Sequence, residues 1–173
     1  MPVAYYTFDY GNLTDFSGNE YHGKGVGGRN LTYEYAEGRG HVLELNNKGL
    51  KRDGNASGFQ IPVDGLKNAE SFTLVMDMLV ETDGGNQVWF DLSRGKSSTS
   101  TRHYIVGLLA IRDYGINAEL STEVLDTVVK KRIYNYNSYT KAGTWAQLAY
   151  VNDRGNASIY LDGVLVASGD QTY

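Results

Sequence analysis

The sequence predicts an all-β protein, an antiparallel β-sandwich of two sheets, and three observations carry that prediction. Apolar residues recur at every second position in one run after another, clusters of Gly, Asn, Asp and Ser separate the runs, and helical periodicity is nearly absent. No strand–helix alternation points to parallel crossovers, so the runs imply two pleated layers packed face to face. The 14 tyrosines agree, because a ring with an apolar body and a polar tip suits half-buried strands and wet surfaces.

In chain order, the first predicted strands are 4–8 (AYYTF), 41–45 (HVLEL), 58–62 (GFQIP) and 71–81 (SFTLVMDMLVE). In the last of these, Phe72, Leu74, Met76, Met78 and Val80 share one face, and Thr73, Val75, Asp77, Leu79 and Glu81 the other. Runs at 87–92, 104–111, 115–120, 127–136, 144–152, 157–161 and 164–168 follow. The one helix candidate of note is 118–131 (AELSTEVLDTVVKK), and the β-branched residues of its second half read better as strand. Asp162-Gly163 predicts a type I′ hairpin, since both central residues of that turn need positive φ. The polar stretch 93–103 (SRGKSSTSTRH) reads as a loop. Trp89 and Trp145 sit in apolar runs and are expected in the core.

Length and composition bound the function. At 173 residues the chain suits one domain able to bury a two-layer core unaided. The absence of cysteine removes disulfides, thiolate nucleophiles and sulfur-ligated zinc. A net charge of -4 with 16 Lys and Arg dispersed along the chain provides no basic stripe, which argues against nucleic acid. No apolar run approaches the ~20 residues of a membrane span. Met1-Pro2 leads directly into a strand-like run, as expected for a module excised from a larger protein.

The residues give little support to catalysis. His22, His41 and His103 fall in no spaced metal motif, and Ser17 lacks the Gly-x-Ser-x-Gly elbow that projects a nucleophile. Glycosidases need two carboxyl groups across the scissile bond. Glu119, Glu123 and Asp126 are spaced by four and three and cannot all share a strand face. Asp77 and Glu81 do share one, but at ~13 Å they lie beyond the ~6.5–9.5 Å of an inverting pair.

Two stretches are candidate sites. In 14–23 (TDFSGNEYHG), Asp15 and Asn19, together with Asp9 upstream, are oxygen donors on a glycine-containing loop and could serve a calcium ion, with backbone carbonyls near His22 and Gly23. The alternative is that Asp15 and Asn19 make Asx-turn hydrogen bonds while Gly18 and Gly23 take positive φ. On either reading the loop is structural. In 130–139 (KKRIYNYNSY), alternation puts Lys130, Arg132, Tyr134 and Tyr136 on one face if Val129 and Ile133 face the core. Sugar rings stack apolar C–H faces on aromatics and need planar donors and acceptors for their hydroxyls. Tyr134, Tyr136 and Tyr139 with Asn135, Asn137 and Arg132 supply both, and Asp77 and Gln147 fall on the outward faces of their own strands. The competing reading is ordinary cross-strand packing of exposed tyrosines.

Four landmarks in order, AYYTFDY with DFSGNEYHG, HVLEL, ESFTLVMDMLV and GTWAQLAYVNDRGNASIYLDGVLVAS, resemble the laminin-G-like, concanavalin-A-like jelly-roll domains over nearly the whole chain. The resemblance implies a single laminin-G-like domain over 1–173, of a kind that binds rather than catalyses and in many members carries structural calcium. It implies a non-catalytic carbohydrate-binding module of a secreted bacterial glycan-degrading enzyme, with polysaccharide as its partner and an extracellular location. The alternative is a structural or adhesion domain that meets protein or cell surfaces. Such domains continue past the Asp-Gly hairpin into a closing strand, which is missing from the sequence up to Tyr173; an open edge there would be a template for chain association.

Overall fold

A computed structural model of the chain describes residues 1–27, 30–45, 57–62, 69–79, 85–93, 103–112, 115–124, 129–140 and 143–170. The protein is an all-β, sandwich-type fold. Among the described residues there are twelve strands and no helix, and every strand pairing is antiparallel. The chain divides into two compact units, Met1–Ala69 and Glu70–Tyr173.

The N-terminal unit holds two short ladders: β1 (Lys24–Val26) with β4 (Gly58–Gln60), and β2 (Thr32–Ala36) with β3 (Gly40–Glu44). Residues 4–8 form no strand, against expectation. The backbone groups a ladder would use are engaged elsewhere: Tyr5 N–H goes to the Asp15 carboxylate and Tyr5 C=O accepts Phe16 N–H at 2.7 Å. Phe8 also takes φ 63°, which breaks extended geometry. Tyr6 and Phe8 instead meet Phe59 of β4 edge to face, each at 5.9 Å. Strand β2 went unpredicted because Tyr33, Glu34 and Tyr35 offer no apolar alternation.

In the C-terminal unit one sheet runs β12 (Val164–Asp170), β11 (Asn156–Leu161), β10 (Trp145–Asp153), β5 (Ser71–Leu79). The other runs β6 (Gly85–Ser93), β7 (His103–Arg112), β8 (Gly115–Val124), β9 (Val129–Thr140). Of the helix candidate, residues 118–124 lie in β8 and 129–131 in β9, and 125–128 lie outside the described residues. Residues 94–102 of the expected polar loop, Val80 and Glu81 lie outside the described residues.

The first sheet shows why the alternation was legible. Leu148, Tyr150 and Ile159 are all but sealed from solvent, and Phe72, Leu74, Met76 and Met78 of β5 pack against them as the period-two pattern requires. Each fully buried side chain of this size stabilises the fold by about 1.5–3 kcal/mol. Tyr150 stands edge to face with Phe72 at 5.6 Å, and its hydroxyl accepts Asn152 Nδ2 at 3.0 Å. Two-residue turns join the strands. Asp162 (φ 49°) and Gly163 (φ 78°) form the expected type I′ geometry, and Arg154 (φ 48°) with Gly155 (φ 87°) repeats it between β10 and β11. Asn152 Oδ1 closes that turn by accepting Gly155 N–H at 3.0 Å.

Candidate functional site

The outward face of the β12–β11–β10–β5 sheet is the best-defined candidate. On β10, Ala146, Leu148, Tyr150 and Asn152 point inward, which leaves Trp145, Gln147, Ala149, Val151 and Asp153 on the other side. Pairing then assembles rows across the sheet: Trp145 opposite Leu79, Gln147 opposite Asp77, and Val75–Ala149–Tyr160–Leu165 next. A bulge at Val166 makes the last row possible, because it shifts the register so that Leu165 falls opposite Tyr160. Val75 is 53% and Leu165 52% exposed, while Tyr160 and Trp145 are half-buried.

Gln147 is fixed from three directions. Its N–H donates to Asp162 Oδ1 and its C=O accepts Asp162 N–H, each at 2.8 Å, so the hairpin turn clamps its backbone. Its Nε2 donates to Asp77 Oδ1 at 3.1 Å, and Oε1 keeps no partner among the described residues. The result is an immobilised amide–carboxylate pair on an exposed face, flanked along the strand by Trp145 on one side and the Tyr160 row on the other. Neighbouring rows stand about 7 Å apart. Flat apolar strips beside fixed planar acceptors and donors suit a ligand with both C–H faces and hydroxyls.

The pairing brings the two predicted residues Asp77 and Gln147 together. Trp145, expected in the core, occupies an outward position beside them. Alternation put Val75 on the face of Asp77, but Tyr160 and Leu165 were missed, because their adjacency depends on sheet order and, for Leu165, on the Val166 bulge, neither of which a single strand's pattern reveals.

The tyrosine ribbon lies on β9. Tyr134 pairs with Glu119, Arg132 with Ser121 and Tyr139 with Asn117, and the register slips between the first and last of these. Simple alternation therefore does not run from Tyr134 through Asn135, Tyr136 and Asn137 to Tyr139. The side chains of all six residues lie outside the described residues. Strand β9 approaches the other sheet of its unit most closely at β12, the strand farthest from β5 and Asp77.

The 14–23 loop is organised around Asp15, which is 5% exposed. Its Oδ1 accepts Tyr5 N–H and Ser17 N–H, both at 2.8 Å; its Oδ2 accepts Ser17 Oγ–H at 2.7 Å and Tyr21 N–H at 3.0 Å. Burial pushes the carboxyl's pKa up, but these bonds to Ser17, Tyr5 and Tyr21 outweigh it and hold the group at about 2. The Asp15 N–H in turn donates to His22 Nδ1 at 3.1 Å. Tyr6 O–H donates to the Tyr21 carbonyl, and burial together with the nearby Asp15 charge raises its pKa to about 12.

Asn19 joins the same network through Nδ2, which donates to Ser17 Oγ at 3.2 Å and Val3 C=O at 3.0 Å. Asp9 does not; its Oδ1 lies against Gly40 of the β2–β3 hairpin. A carboxylate offers about four acceptor positions, and protein donors occupy those of Asp15. As arranged, Asp15, Ser17 and Asn19 make a hydrogen-bond hub. No group of three or more His, Asp or Glu suited to a metal occurs among the described residues. Gly18 takes positive φ (88°), as expected, whereas Gly23 is needed for a different reason: a β-carbon there would stand 2.9 Å from Leu13 Cβ.

No known family profile matches the chain, and no curated protein does. Among solved structures, the chain is similar to domain 4 of AbnA, a GH43 extracellular arabinanase from Geobacillus stearothermophilus, determined in complex with arabinotriose. The TM-score is 0.70 at 21% identity, over 99% of this chain and 76% of that one. At this identity the likeness is one of fold.

Proposed function

We propose that the chain is a non-catalytic carbohydrate-binding module of a secreted bacterial glycan-degrading enzyme, forming one functional domain over 1–173. One observation carries the reading: the Asp77–Gln147 pair, locked by Asp162 and set between Trp145 and Tyr160 on an exposed sheet face. The carboxylates there accept fixed hydrogen bonds, which suits recognition of hydroxyls better than proton transfer. The similar arabinanase domain binds an oligosaccharide and belongs to an extracellular enzyme, which supports both the ligand class and the location. In this reading Tyr134, Tyr136, Tyr139, Asn135, Asn137 and Arg132 of β9 remain candidate ligand contacts. Association between chains would fall on an edge strand of this sheet, β5 or β12.

The test is affinity electrophoresis of the purified chain through gels containing arabinan, xylan, galactan or mixed-linkage glucan. Retardation by at least one polymer, reduced by Gln147→Ala, is the expected result. Unretarded migration in every gel, or release of reducing sugar by the purified chain, would overturn the proposal.

A further inference from the structure

We infer that the N-terminal unit carries a second, separate saccharide contact, an aromatic platform made by Tyr10 and Phe16 that takes the apolar face of a neutral sugar ring. The two rings meet in an offset, tilted contact with centroids 5.6 Å apart and planes inclined by only 31°, and they are 74% and 44% exposed. The other ring pairs of this unit meet at 67–81°, edge to face, and the Tyr6 and Phe8 pairs close on Phe59. Among these described pairs, only Tyr10 and Phe16 have planes inclined by as little as 31° with both rings reaching solvent, so that a ring face rather than an edge is offered to a ligand.

The platform is rigidly mounted. Phe16 follows directly on the Asp15 hub, and its own N–H is tied to Tyr5 C=O at 2.7 Å. Tyr10 stands in a turn closed by the Gly11 N–H to Phe8 C=O bond at 2.9 Å, with Phe8 and Gly11 both at positive φ. With the backbone held this way, only side-chain torsions are ordered on binding, which keeps the cost to stacking small. Asn12, in the same loop, uses Oδ1 to hold Thr14 N–H at 3.0 Å and keeps its Nδ2 without a partner among the described residues.

Charge and size identify the occupant. Residues 1–23 contain Asp9, Asp15 and Glu20 but no Lys or Arg, so the segment that carries the platform offers an anionic polymer no cationic side chain and favours a neutral one. Two rings expose at most a few hundred Å², well below the ~800 Å² each partner buries in a stable protein interface, yet enough for one sugar ring. A contact of this kind is weak alone.

The experiment compares the wild-type chain with Tyr10→Ala, Phe16→Ala, Tyr10→Trp and Gln147→Ala in the four neutral polysaccharide gels, with circular dichroism to check each fold. Loss of a stacking ring should weaken apparent affinity at least about fivefold, while Tyr10→Trp should retain it. Tyr10→Ala and Gln147→Ala together should lose more than either alone. Retardation of folded Tyr10→Ala equal to wild type in every gel would overturn the second contact and leave the Gln147 face standing. Should Phe16→Ala misfold, Tyr10→Ala, at the more exposed ring, decides by itself. Absence of retardation for the wild-type chain would overturn both.

Discussion

Tyr5 donates its backbone N–H to Oδ1 of Asp15 at 2.8 Å, a bond across ten residues that substitutes for a strand ladder at the start of the chain. Tyr21 and Ser17 converge on the same carboxylate. Removing it leaves several partly buried donors without acceptors, each costing about 1–3 kcal/mol before relaxation. Asp15→Ala should therefore lower stability by about 3 kcal/mol in urea unfolding. The loss should be the same with and without excess EDTA, because protein donors satisfy the carboxylate; a chelator-sensitive loss would mean that calcium occupies the loop.

The pH dependence follows from the same residue. The Asp15 carboxyl sits at about 2 in the folded chain against an ordinary 3.8. Its folded pKa is depressed, so its contribution to stability is complete above about pH 4–5 and disappears as pH falls through about 2. Tyr6 behaves oppositely. Raised from 10.0 to about 12, it contributes stability below pH 10 that is lost as pH rises through about 12. Thermal melts across both ranges should show an acid limb absent in Asp15→Ala and an alkaline limb reduced in Tyr6→Phe.

Gly40→Ala should destabilise the N-terminal unit by about 1–3 kcal/mol. Gly40 takes φ 78°, and an added β-carbon would stand 2.6 Å from Asp9 Oδ1. The Asp9 side chain can swing away but the backbone strain remains, so Asp9→Ala should rescue only part of the loss in a double-mutant cycle.

Asp162 separates turn chemistry from ligand chemistry. Asp162→Asn keeps both the tolerance for φ 49° and an acceptor for Gln147 N–H, and should leave the melting temperature within about 2 °C. Asp162→Ala loses both and should cost about 1–2 kcal/mol. Gln147→Ala, at an exposed position, should barely change stability while weakening polysaccharide binding, as affinity electrophoresis would read.

The strands of the C-terminal unit were legible because burial there is one-sided. Phe72, Leu74, Met76 and Met78 alternate with polar or exposed neighbours, and Asp162-Gly163 encodes its turn outright. The N-terminal unit was less legible. Ala4–Phe8 has the composition of a strand, yet a side chain ten residues on captures its backbone, a tertiary event that no local pattern encodes. The candidate site was half legible: alternation put Asp77 and Gln147 outward, but only the register shows that they are opposite one another. Tyr160 joins them through the β10–β11 pairing and Leu165 through a bulge, and Tyr10 and Phe16 meet across a turn that holds no periodic signal.

The two tight turns at Arg154-Gly155 and Asp162-Gly163 make β10, β11 and β12 a meander whose partners are neighbours in sequence. Closing such short loops costs little entropy, whereas β5 reaches β10 only around the whole of β6–β9. The meander is thus the natural nucleus of assembly, with β5 docking late. Substitutions in Ile159 should slow refolding, while those in Met76 should mainly quicken unfolding.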